Sequence, residues 1–123
     1  MTSQIAATAL AVFLLGATTA STAMAQEAPK AFNQCKACHK VEAGKNGVGP
    51  SLFGIFGHKL GQAPGFKYSE AHLKFAQQTV DEPFLTKYLA DPKGTIPGNK
   101  MVFAGLKNPD DVKAVIAYLK TLK

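Results

Sequence analysis

The sequence predicts an all-α fold in which three to five helices are joined by long Gly/Pro-rich loops. Three observations lead there. In the C-terminal segment, Val112, Val115, Ile116 and Leu119 recur at the spacing of one helix face. Nowhere does the chain alternate apolar and polar residues as a half-buried strand would. Between Val41 and Gly65, regular structure is broken by Gly44, Gly47, Gly49, Gly54, Gly57, Gly61 and Gly65, with Pro50 and Pro64. Leu52, Phe53, Ile55, Phe56 and Phe66 are scattered through the same region. A loop that is apolar on its inner side needs something flat and apolar to lie against, and long structureless loops in small domains are usually functional.

Residues 1–29 contain no Lys or Arg. Ile5 to Leu15 is an apolar run too short to span a bilayer comfortably. Small residues follow, then Ala23-Met24-Ala25, an A-x-A cleavage pattern. Residues 1–25 read as a secretory signal peptide cut before Gln26, leaving 26–123 as the mature domain in the periplasm. Met1-Thr2-Ser3-Gln4 has no basic side chain, so the positive charge of this region rests on the amino terminus. An uncleaved N-terminal anchor is the alternative. A mature chain of this size is small for a stable core of its own.

Residues 28–39 read as the first helix, with Pro29 near its first turn, where a missing N–H does no harm. Phe32 and Cys35 share a face. Near its end stands Cys35-Lys36-Ala37-Cys38-His39, which holds the only two cysteines of the chain. Cys-x-x-Cys-His is the attachment signal of a c-type haem. Positions i and i+3 of a helical turn point the same way, so two thiols reach two vinyl groups on one edge of a porphyrin. The next residue then delivers an imidazole to the iron. A disulfide, a zinc site and a chance spacing are the competing readings. Redox disulfides of this spacing sit beside a βαβ pattern, which is missing here. Structural zinc needs four ligands, and His58 and His72 are lone and far apart. Export agrees with haem attachment, which happens outside the cytoplasm.

Ser69 can cap a short helix running to about Phe75. Asp81 can cap another, with Pro83 in its first turn and Phe84, Leu85, Tyr88 and Leu89 on one face. Asp91-Pro92 ends that helix and can start a further turn. Gly94 to Leu106 is loop again. Asn108 caps the last helix, Pro109 takes its first position, and Asp110 and Asp111 complement its positive end. Met101 is the only methionine after residue 25, and it lies in the Pro/Gly-rich loop. A lone Met is usually core filler. In such a loop it is also well placed as a sixth iron ligand, with His58 and His72 as rivals. A His/Met pair raises the potential and leaves no open iron position.

With these segments in hand, the sequence resembles a class I cytochrome c of the mitochondrial or bacterial cytochrome c2 type, over essentially all of residues 26–123. The resemblance rests on Cys35–His39, Gly49-Pro50-Ser51-Leu52-Phe53-Gly54, Gly61-Gln62-Ala63-Pro64-Gly65-Phe66-Lys67-Tyr68, Ile96-Pro97-Gly98-Asn99-Lys100-Met101 and Ile116-Ala117-Tyr118-Leu119-Lys120. It implies a small cytochrome c fold around one covalent haem c, with Cys35 and Cys38 attached and His39 and Met101 on the iron. It also implies that the Pro50 carbonyl accepts the His39 N–H. Tyr68 should reach a propionate, Tyr88 should set its hydroxyl near the Met101 sulfur, and Phe103 should cover the haem edge. Ala28 and Phe32 should pack near Tyr118, with Ala28 standing where the family usually has Gly. Two departures lie on the propionate side: Val80 replaces the family's Trp, and His58 replaces an Arg. His58 is therefore a candidate titratable partner of a propionate, or a solvated loop histidine. His72, where the family often has Asn, has no assigned role.

All 14 basic residues are Lys, against 8 acids, for a net charge of +6. With no Arg and no basic run, nucleic-acid binding is a poor fit. Lysines suit an acidic protein partner instead. The resemblance implies a soluble, monomeric one-electron carrier and not an enzyme. Its partners would be acidic redox proteins (an oxidase, a bc1-type complex, a reaction centre or a dehydrogenase). They would dock near Lys45, Lys93, Lys100 and Lys107. A small haem peroxidase or gas sensor would need an open iron site, and a fixed subunit of a larger complex would need a docking extension.

Overall fold

Helix α5 (Pro109–Leu119) is the element on which the others are laid. The computed structural model describes Gly16 and residues 26–123; the expected signal peptide and its cleavage site lie outside the described residues apart from Gly16. The α5 start forms as the sequence predicts. The Asn108 side chain accepts from the Asp110 N–H, Pro109 sits in the first turn, and both acidic residues face the helix's positive end. Its buried face is Val112, Val115, Ile116, Tyr118 and Leu119.

Against it packs α3 (Glu82–Ala90), which presents Phe84, Leu85, Tyr88 and Leu89. Asp81 caps α3 by accepting the Phe84 N–H at 2.9 Å, a contact of the kind whose loss costs about 1 kcal/mol. α4 (Pro92–Thr95) follows after Asp91 and packs back on α3. Ile96, at its end, is fully buried. Burying a side chain of that size contributes about 1.5–3 kcal/mol.

The first helix is shorter than the predicted 28–39. A 3-10 turn at Lys30–Phe32 leads into α1 (Asn33–Lys36). Pro29 is extended, with φ −65° and ψ 155°, and offers no capping side chain, so the helix starts late. It ends early because the chain pairs elsewhere. The His39 N–H still reaches the Cys35 carbonyl (2.9 Å), but the carbonyls of Cys38 and Lys40 accept from Gly49 and Leu52, each at 2.8 Å. Phe32 meets Tyr118 edge-on at 4.8 Å between ring centroids, fixing the crossing of the N-terminal turn and α5. Ala28 is partly buried against the same core.

The short helix after Ser69 also stops before the expected Phe75. α2 spans Glu70–Leu73, capped by Ser69 Oγ at 3.1 Å from the His72 nitrogen. The chain then continues as tighter turns, with Phe75 bonding to His72 and Ala76 to Leu73. Residues 41–65 contain no helix, as expected, and Gly44, Gly54, Gly57, Gly61 and Gly65 take positive φ there. Among the described residues the only β pairing is an isolated bridge between Lys59 and Thr79. The long loop and the 96–106 segment face each other across the apolar side of α3 and α5, and the space between them is the site.

Candidate functional site

That space is a cavity of about 860 Å³. Its lining brings together the side chains named from sequence: Cys35, Cys38, His39, Pro50, Tyr68, Tyr88, Met101 and Phe103. Leu52, Ile55, Leu85, Leu89 and Val115 supply apolar wall.

The turn after α1 presents the thiols and the imidazole. Both cysteines are free and partly buried. Burial pushes the Cys35 thiol up, and the neighbouring Cys38 adds to the shift. His39 Nδ1 lies 2.7 Å from the Pro50 carbonyl. A carbonyl only accepts, so this contact sets the proton on Nδ1 and leaves the Nε2 lone pair free. Burial lowers the His39 pKa, and the Pro50 bond opposes that shift, so the ring stays neutral near pH 7. Gly49 is glycine for a steric reason: a Cβ there would run into the imidazole.

On the other wall, the Tyr88 hydroxyl donates to the Met101 sulfur at 3.7 Å. Burial pushes the Tyr88 pKa up to about 12, so the phenol keeps its proton. The Tyr68 hydroxyl accepts the Ala63 N–H at 3.0 Å, which leaves its own proton available to the cavity. Burial raises the Tyr68 pKa and the Ala63 bond partly offsets this. His72 stacks on Tyr68, with centroids 5.2 Å apart and 23° between planes. Phe103 is partly buried against the core at the Met101 end.

This donor set fits a haem. Two thiols on one turn, a neutral imidazole with a free nitrogen, a thioether and an apolar-walled slot are what a covalently held porphyrin iron requires. Bare glycine under His39 keeps that face of the slot thin.

His58 and Val80, the two departures from the family pattern, sit next to each other. The Val80 N–H donates to the His58 carbonyl at 2.8 Å, with Val80 buried and His58 exposed at the rim. Lys45, Lys93, Lys100 and Lys107 are all exposed, and of these Lys100 lines the cavity. Lys59 and Lys67 line it too, without having been singled out from sequence.

Two asparagines to which the sequence pattern assigns no role also hold the site. Asn46 accepts the Ser51 N–H at 2.9 Å and donates to the Pro64 carbonyl at 2.8 Å, tying two parts of the long loop. Asn99 bonds to Pro92, Ile96 and Met101. The available signal was a lone Asn beside each ligand-bearing segment, which is also what a solvated loop looks like.

A protein-family model described as Cytochrome c matches residues 25–123. The chain is 91% identical over 98 residues to the cytochrome c2 of Rhodoplanes tepidamans, an alignment covering 80% of this chain and 100% of that one. It is 72% identical over 97 residues to cytochrome c2 iso-2 of Magnetospirillum molischianum, covering 79% and 99%. Among solved structures, cytochrome cH from Methylobacterium extorquens is similar with a TM-score of 0.70 and 52% identity, covering 75% of this chain and 92% of that one.

Proposed function

The chain belongs to the cytochrome c family, and from that premise we propose that Cys35 and Cys38 attach its one haem c and that His39 and Met101 are the axial ligands. Covalently bound haem c supplies an iron that cycles between ferric and ferrous states, and the chain is an electron carrier. The protein's own part is to hold that centre still and dry. Pro50 holds the His39 ring in one tautomer and orientation. The Tyr88 hydroxyl keeps its proton, donates a hydrogen bond to the Met101 sulfur and so would steady the thioether. Tyr68, whose oxygen already accepts the Ala63 N–H, would donate a hydrogen bond to a propionate. Phe103 covers the edge beside Met101, and the apolar wall excludes water.

The observation that carries this reading is that both thiols, the imidazole and the thioether line one cavity. With His39 and Met101 both holding the iron, no open position would await a substrate, which supports a carrier and not an enzyme. Absorption spectra of the purified protein, oxidised and reduced, test the assignment. The expected result is a low-spin haem that stays with the chain in denaturant and a ferric methionine-to-iron charge-transfer band. A haem extracted by acid and organic solvent, or a missing band, would falsify it.

The partners are redox proteins. An acidic one, such as a bc1-type complex or a reaction centre, docks as its carboxylates meet Lys45, Lys93, Lys100 and Lys107. Its rate with the monomeric carrier falls as ionic strength rises. Removal of residues 1–25 on export leaves residues 26–123 in the periplasm. The Rhodoplanes relative, whose whole length is matched over 98 residues, supports that length for the mature chain.

A further inference from the structure

Met101 reaches the cavity from a loop, and most of what fixes that loop passes through one side chain. The loop leaves α4 by a turn, Ile96–Asn99, closed by the Asn99 N–H on the Ile96 carbonyl at 3.2 Å. Pro97 holds its second position, and Gly98, at φ +84°, its third. That is the chemistry of a type II turn. Asn99 then uses its whole amide. Nδ2 donates to the Pro92 carbonyl at 2.9 Å and to the Ile96 carbonyl at 2.8 Å. Oδ1 accepts the Met101 N–H at 2.9 Å. Two acceptors on one side and a donor on the other fix which way the amide points.

The anchor and the load differ in kind. Pro92 and Ile96 are among the least exposed side chains of the protein. Beyond Asn99 the backbone has little hold before the Leu106 N–H meets the Leu89 carbonyl at 2.7 Å: Lys100 is exposed, Val102 is 95% exposed, and the Met101 carbonyl accepts only the nearby Phe103 N–H at 3.1 Å, while Tyr88 holds the Met101 side chain at its sulfur. We propose that Asn99 is the positioning residue that keeps Met101 on the iron, and that it sets how fast an external ligand takes the sixth position. The proposal rests on the assignment of Met101 as axial ligand. Exchange breaks the iron–sulfur bond and forms one bond to the incoming ligand. The Met101 sulfur leaves only if its backbone swings away, and the bond from its N–H to Asn99 opposes that swing.

The role suits Asn and few alternatives. Asp keeps the acceptor for the Met101 N–H but sets a carboxylate against two carbonyl oxygens. Thr can make one of the three bonds, or two at most, and Gln carries the amide one methylene too far. None of these changes touches a side chain that lines the cavity, so a change in exchange rate reports the clip and not the wall.

The test is cyanide binding to the ferric holoprotein, followed by loss of the methionine-to-iron charge-transfer band, for the wild type and for Asn99→Ala, Asn99→Asp and Asn99→Thr. In the wild type the rate should level off at high cyanide, at the rate at which Met101 lets go. Losing two or three hydrogen bonds, each with a modest net contribution, should raise that plateau about tenfold or more in Asn99→Ala. Asn99→Asp should also raise it, and Asn99→Thr should lie between wild type and Ala. If Ala fails to retain haem, Thr carries the measurement. A plateau unchanged in the variants, even with lower thermal unfolding midpoints, overturns the proposal and makes Asn99 ordinary scaffold. A wild type without the band overturns the assignment of Met101 and the clip with it.

Discussion

The wall that carries His39 and the wall that carries Met101 are held in different ways. Behind His39 the main chain is stitched to itself: Gly49 to Cys38 and Leu52 to Lys40, each at 2.8 Å, and Gly47 to Gly49 at 2.9 Å. The Pro50 carbonyl takes the ring, and Asn46 ties the loop across. Around Met101 the holding groups are side chains, Asn99 on its backbone and Tyr88 on its sulfur. Backbone stitching persists whatever the side chains are, whereas a side-chain clip can be lost in one substitution. The first wall therefore depends little on side-chain identity, in keeping with the proposed haem attachment at Cys38, whose own carbonyl is one of the stitched groups. The second rests on two side chains, so single substitutions can loosen it.

The hardest way to break this contrast is to remove each proposed ligand in turn. His39→Ala should leave little haem-loaded protein, because the group that the stitched wall exists to hold is gone. Met101→Ala should retain covalent haem and its fold while losing the ferric charge-transfer band. Its potential should drop by a few tenths of a volt, within the roughly 0.8 V range that axial ligands span. Spectra and a redox titration read both. The reverse ranking, with Met101→Ala unloaded and His39→Ala well loaded, would mean the two walls have been assigned the wrong way round.

A gentler comparison uses one glycine from each wall. In Gly49→Ala the new methyl runs into the His39 ring, which cannot move without giving up Pro50. Overpacking of that kind costs about 1–3 kcal/mol. In Gly98→Ala the nearest atom is the Ala71 Cβ at 3.4 Å, so space is available and the cost is conformational, from φ +84°. That is about 1–2 kcal/mol, without the added loss of the His39–Pro50 contact. Denaturant midpoints at constant slope should rank Gly49→Ala as the less stable variant. Equal losses would show the His39 wall to be softer than its hydrogen bonds imply.

The sequence made much of this visible, for reasons that can be named. α3 and α5 carry their own start signals, Asp81 with Pro83 and Asn108 with Pro109, and their apolar faces have helical spacing; both form where expected. Cys35–His39 is legible because its chemistry is compressed into one turn. The first helix was overextended because local pattern does not reveal that the Cys38 and Lys40 carbonyls have partners at Gly49 and Leu52. The clipping roles of Asn46 and Asn99 are not legible for the same reason. An amide that clips a loop and one that faces water have the same neighbours in sequence, and only the position of distant carbonyls tells them apart.

The smallest effect expected concerns His72, the titratable ring on the Tyr88 side. It lies stacked on Tyr68 and edge-on to Tyr88, at 6.3 Å and 81°. Its pKa is lowered, and burial is the cause. The rings packed on it are neutral phenols with raised pKa values, so neither supplies a charge that would favour protonated His72. The sign follows from linkage. The unfolded chain takes up a proton near the ordinary histidine value of about 6.5, while the folded protein resists it to lower pH. Stability from this group is therefore fully present above about pH 6.5 and declines as pH falls toward the lowered folded value. His72→Asn should flatten the stability–pH curve of the holoprotein below about pH 6.5, with little change above pH 7. If the slope in that window survives the substitution, the proton uptake belongs to another group, and the wall around Met101 has no pH-sensitive member at this position.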